Sequence, residues 1–171
     1  MRLRKNLHSS TRIARASRVA FMAVALMATA SSSAPGADES AEYVQLDRAQ
    51  RAVEHLQARL GLSAEVTAEL VARHPLLVAV APHADRRGSY RLQLETGFVS
   101  ELTDVELDAV IAHELGHVWI FSHHPYLQTE QLANQVAMRV VTREALDAVY
   151  AKVEARGGKK ARVVRFSERR P

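Results

Sequence analysis

Apolar positions along this chain recur with two different periods, and each period marks a kind of element. Between residues 41 and 60, Leu46, Ala49, Val53, Leu56 and Leu60 fall three or four apart, with Val44 at the edge of the stripe. That is one face of a 3.6-residue helix. Gly61 follows, the residue best suited to the left-handed turn that ends a helix. Ser63 offers the cap of a second helix, which must stop before Pro75 because proline restricts the residue ahead of it. Leu76-Leu77-Val78-Ala79-Val80 is a short apolar run of strand length. A polar turn from Pro82 to Ser89 separates it from Tyr90–Thr96, which alternates as a second strand does. Residues 97–100 either extend that strand or turn out of it.

Thr103-Asp104-Val105-Glu106 has the form of a capping box, and helix-period apolar positions follow to about Phe121. His123-His124-Pro125 breaks this helix. A last long helix is expected from near Thr129 to about Arg156, closed by Gly157-Gly158. Trp119 and Phe121 are expected to pack in the core or against that last helix. No internal repeat is present. Strands and helices mixed in this order predict an α+β domain.

The first 30 residues stand apart. Six cations and no acid lead into an apolar run from Val19 to Ala30, about twelve residues long. That is short for a membrane span of ~20 residues and normal for the core of an export signal. Ala28-Thr29-Ala30 supplies the small-x-small cleavage pattern. The reading is a signal peptide (1–30), a flexible linker (31–40), a folded domain (41–158) and a basic flexible tail (159–171). The domain is then periplasmic or secreted, the alternative being an uncleaved membrane anchor.

Composition changes the picture in two ways. Hydrophobic residues are 47% of the chain, enough for a core, while cysteine is absent. Any metal must therefore sit on His and carboxylate, and a thiol nucleophile is excluded. The formal charge of +4 is misleading, because residues 31–155 hold ten Lys and Arg against 18 Asp and Glu, a formal −8. The folded part lacks a basic face for phosphates, which argues against nucleic acid. The basic tail could touch an anionic membrane surface or cell-wall polymer, or remain solvated.

His113 and His117 are four residues apart in a helix. They leave one face about a turn apart, close enough to share a metal ion. Neutral imidazoles suit zinc. Glu114 points about 100° away around the helix, so it reaches a water on that ion rather than the ion itself. It would take the proton of that water as it attacks a carbonyl. With eight His and 13 Glu, a random chain of this length would hold ~0.03 such motifs.

Catalytic zinc needs a third protein ligand and an open fourth position. Glu130, 13 residues after His117 and near a helix start, is the candidate. Its alternative role is an acid favoured by the helix dipole. His123 and His124 are rivals that would need a sharp backbone turn. Asn134, one turn beyond Glu130, could hold a ligand histidine by a hydrogen bond. Candidate oxyanion donors are His124, Tyr126 and Arg139.

Glu106-Leu107-Asp108-Ala109-Val110-Ile111-Ala112-His113-Glu114-Leu115-Gly116-His117-Val118, followed by Glu130-Gln131-Leu132-Ala133-Asn134, resembles the gluzincin metallopeptidases. Within them the nearest groups are the HtpX and CAAX prenyl protease-like enzymes. The resemblance spans about residues 88–145, roughly a third of the chain. It implies a zincin-like fold, with a small sheet beside a helical active-site layer. It also implies one Zn2+ per chain on His113, His117 and Glu130, with Glu114 as base. The strand from about Leu92 to Val99 would be the edge that pairs with an extended peptide or unfolded protein substrate. Asn134 stands where that group usually has Asp, which is closer to the ImmA-type phage-repressor proteases; those lack export signals. The short link from His117 to Glu130 leaves little room for a substrate-covering insertion.

The function expected is a zinc-dependent metalloendopeptidase acting on periplasmic or extracellular proteins. The alternative is a catalytically silent zinc-binding adaptor of the cell envelope, and a third is an envelope-surface binding protein held by its tail.

Overall fold

The computed structural model describes residues 37–157; the expected signal segment, residues 31–36 of the linker and the basic tail lie outside the described residues. Helix α1 (Ala37–Leu60) begins four residues earlier than expected, so residues 37–40 are helix rather than linker. Its buried face is Ala49, Ala52, Val53 and Leu56, with Leu46 and Leu60 partly covered. Gly61 ends it at φ +67. The Gly61 N–H reaches the Ala58 carbonyl and the Leu62 N–H that of Gln57, the paired bonds of a left-handed helix stop.

The expected second helix does not exist. Residues 65–71 form strand β1 (Glu65–Val71), with Val66 and Ala68 buried between exposed Glu65, Thr67 and Glu69. Ala, Glu and Leu suggest helix, but the segment buries every second residue, and that period is the strand's. Strand β2 (Val78–Pro82) and strand β3 (Ser89–Glu95) follow on either side of the polar turn. The order in the sheet is β1-β3-β2, parallel between β1 and β3 and antiparallel between β2 and β3. The expectation that the strand starting near Leu92 forms the open edge is therefore overturned: β3 is central, with hydrogen-bonded neighbours on both sides. Residues 97–100 turn out of it, through the short helix α2 (Thr96–Val99).

The outer edge of β1 is sealed from α1. Gln50 accepts the Ala68 N–H at 2.9 Å and donates to the Val66 carbonyl at 3.5 Å. That leaves β2 as the edge turned toward the remaining helices.

Helix α3 (Asp104–His123) opens with the full capping box: Thr103 accepts from the Glu106 N–H, and Glu106 accepts from that of Thr103. Every residue from Ala109 to Gly116 is buried, so two whole turns lie inside the domain. It packs against α1, β2 and both helices that follow.

The expected last helix is two helices, α4 (Glu130–Ala137) and α5 (Arg143–Ala155). Val140, Val141 and Thr142 are weak helix formers, and Thr142 caps α5 by accepting the Ala145 N–H. The break is required by a contact: Tyr150 hydrogen-bonds Asn134. In one straight helix those residues would stand roughly 24 Å apart along the axis. Arg156 then ties the end of α5 to Glu95, Glu101 and the Gly97 carbonyl. Among the described residues no helix is long and apolar enough to cross a membrane.

Helices α3 and α4 meet backbone to backbone at Gly116. A Cβ there would stand 2.5 Å from the Ala133 carbonyl oxygen. Gly116→Ala is expected to destabilise the domain by about 1–3 kcal/mol and to weaken metal binding, because α4 must retreat. Denaturant unfolding paired with a zinc titration checks this; a variant as stable and as tight as wild type would contradict it.

Candidate metal centre

His113 and His117 leave the buried turns of α3 on the side that faces the start of α4. There Thr129 caps α4 by accepting the Leu132 N–H at 3.1 Å, and Glu130 is the first helical residue. His113 Nε2 lies 3.2 Å from Glu130 Oε2, and His117 Nε2 lies 3.6 Å from Glu130 Oε1. The three candidate ligand atoms fall within 4.8 Å of one another. A tetrahedral zinc with bonds of about 2.0–2.1 Å sets its ligand atoms roughly 3.3–3.4 Å apart. Two imidazole nitrogens and a carboxylate at this spacing fit such an ion. Hydrogen bonds from His113 and His117 hold the Glu130 carboxyl well below the usual carboxylate range, so it is anionic at neutral pH.

Each histidine is oriented from behind. His113 Nδ1 lies 2.7 Å from Asn134 Oδ1, which accepts only, so Nδ1 carries a proton and Nε2, which faces Glu130, is the nitrogen that a metal would take. The Tyr150 hydroxyl donates to the same Asn134 oxygen at 2.6 Å. Burial pushes the Tyr150 phenol up to about 12, so it remains a donor. His117 Nδ1 lies 3.1 Å from Gln128 Oε1, and the Gln128 amide donates to the His117 carbonyl at 3.4 Å. Burial opposes a charge on His117, but the hydrogen bonds its ring donates to Glu130 and Gln128, and the nearby Glu114, raise its pKa overall.

Sequence reasoning missed Gln128 and Tyr150. Gln128 is a polar residue in a loop, and its place two residues ahead of Glu130 was the available hint. Tyr150 falls in register with Leu146, Val149 and Val153, and so reads as an ordinary core position.

Glu114 is buried, at 9% exposure, yet its carboxylate lines a cavity of about 430 Å³ together with His113, His117 and Glu130. Its Oε2 accepts the Val80 N–H at 3.0 Å. Burial pushes its pKa up, against the opposing pull of the two histidines and that N–H. The rest of the lining is largely apolar: Leu76, Val78 and Val80 from the β2 side, and Val110, Phe121, Leu146, Val149 and Val153 from α3 and α5.

None of His124, Tyr126 and Arg139, the expected oxyanion donors, lines this cavity. Tyr126 is 98% exposed, and Arg139 lies over the Trp119 ring at 4.9 Å. His124 is also tilted against Trp119. The rival ligand His123 stacks on the same ring, its Nδ1 facing the Trp119 carbonyl. Phe121 faces the cavity rather than the core.

The sequence model of Peptidase family M48 matches residues 44–168, which takes in every element from α1 to α5 except the first residues of α1. The chain belongs to peptidase family M48. It is a metallopeptidase, a hydrolase of α+β fold. Among solved structures, this M48 chain is similar to the crystal structure of the metallopeptidase zymogen of Pyrococcus abyssi abylysin. The identity is 15% and the TM-score 0.46, over 63% of this chain and 93% of that one. No curated protein matches.

In this M48 chain His117→Ala is expected to abolish zinc binding, and Gln128→Ala to weaken it about 10–100-fold. Competition against a chromophoric chelator reads both. Full affinity in Gln128→Ala would remove Gln128 from the support of the site.

Proposed function

We propose that this M48 peptidase is a zinc-dependent endopeptidase of the periplasm or extracellular space. The observation that carries the zinc reading is the set of two imidazoles and one carboxylate whose ligand atoms lie within 4.8 Å of one another, with a second carboxylate beside it in one cavity. The compartment rests on the export signal read in residues 1–30.

His113, His117 and Glu130 hold the ion. When bound, zinc supplies Lewis acidity, polarising the scissile carbonyl and acidifying a water. The work of the chain is then proton management. Glu114 Oε2 is fixed by Val80, so Oε1 is the oxygen that takes a proton from the attacking water. The raised pKa of Glu114 suits a group that must next pass that proton to the leaving amine. Substrate lies as an extended segment along β2, the edge beside Glu114, with an apolar side chain turned into the cavity.

Glu114→Gln is expected to keep one zinc per chain and to lose about 10²–10⁴ in kcat/KM on an unfolded, fluorescently labelled protein. A wild type that holds zinc and cleaves no faster than Glu114→Gln would establish instead the silent zinc-binding adaptor.

A further inference from the structure

A general base needs one carboxylate oxygen free to take a proton and the other held still. The holding group in this chain is main chain, not side chain: the Val80 N–H, 3.0 Å from Glu114 Oε2. The sheet register shows why that N–H is available. The Glu95 N–H donates to the Leu77 carbonyl and the His83 N–H to the Ser89 carbonyl, both at 2.8 Å. Positions 77 and 83 therefore belong to the ladder, and so do 79 and 81 between them. In an antiparallel pair the alternate residues turn both N–H and C=O outward. On β2 these are Val78, Val80 and Pro82.

Every outward donor on that edge is already committed. Val78 donates to the Leu76 carbonyl at 2.7 Å, closing a tight turn across Leu77. Leu77 holds φ +64, a conformation that leucine adopts only under constraint. Pro82 has no N–H, and Val80 donates to Glu114. The carbonyls of Val78, Val80 and Pro82 are the outward groups left to receive another strand, and Val78 and Val80 are the two of these residues that line the cavity.

We propose that the Val80 main-chain N–H is a positioning group for Glu114, and that β2 consequently receives substrate through carbonyls alone. This rests on the reading of Glu114 as base. The substrate class it defines is an extended segment that donates from two N–H groups two residues apart, to Val78 and Val80. In parallel or antiparallel pairing alike, proline at either of those substrate positions is excluded.

Val80→Pro tests the proposal in the full chain. It deletes one N–H outside the ladder, in the register where Pro82 already stands, so the sheet bonds survive. The expected result is a kcat lower by about 10–100-fold, with KM within about threefold and zinc content retained. A kcat equal to wild type overturns the positioning role, and a KM raised well beyond threefold overturns docking through carbonyls alone.

Amide hydrogen exchange gives a readout that needs no catalysis, and it decides the matter if Val80→Pro does not fold. The Val80 amide is expected to be protected in wild type and at least about tenfold faster in Glu114→Ala, with Ala79 and Ala81 unchanged. Equal exchange in the two proteins overturns the proposal. A wild type that shows this protection but cleaves nothing refutes the peptidase reading alone, leaving the Val80–Glu114 contact established.

Discussion

The close approach of α4 to α3 at Gly116 is the constraint on which the site depends. With the Ala133 carbonyl only 2.5 Å from where a Cβ would stand, α4 is seated as deeply as helix backbones allow. That depth sets three reaches at once. Glu130, on the first turn of α4, comes within 3.2–3.6 Å of both imidazoles. Asn134, one turn further on, meets His113 from behind, and Gln128, in the entering loop, meets His117. A wider helix spacing would lengthen all of these contacts together, because one rigid element carries them.

The groups behind both histidines are amides. A divalent ion with Glu130 and Glu114 sums to zero. Asn134 and Gln128 fix the imidazole tautomers without adding to that sum. Tyr150 completes the arrangement by giving the Asn134 oxygen its second donor. This is the reason α5 must break from α4 and fold back: the hydroxyl has to arrive from outside the helix that carries Asn134.

What was legible in the sequence was what is local. The α3 capping box, the helical phase of His113 and His117, and the Gly61 stop depend on neighbours within five residues, so spacing alone reveals them. β1 was not legible, because seven residues of mixed Ala, Glu, Val, Leu and Thr fit either period until a partner strand selects one. The division of α4 from α5 was hidden for a similar reason. Thr142 is an unremarkable cap candidate until the Tyr150–Asn134 contact demands a break. Sheet order is a matter of long-range pairing, so the central place of β3, and with it the identity of the open edge, could come only from the fold. The nearness of Glu130 to the two histidines could be expected from its spacing after His117, whereas Gln128 and Tyr150 meet the site through single atoms that no pattern announces.

A side chain from a neighbouring helix meets each outer edge of the small sheet. An uncovered strand edge invites pairing with any other chain, and proteins block it. On β1 the blocking group is the Gln50 amide from α1, which both accepts and donates, and so covers the Ala68 N–H and the Val66 carbonyl. On β2 it is the Glu114 carboxylate from α3, which can only accept, and so covers the Val80 N–H and leaves the carbonyls bare. The difference in chemistry divides the edges by role. An amide seals its edge on both sides of the peptide group, while a carboxylate leaves acceptors that a donating chain can still find. The residue that makes β2 safe against indiscriminate strand addition is thus the one proposed to act on the chain that β2 admits. Edge protection and placement of the base are, on this fold, a single hydrogen bond.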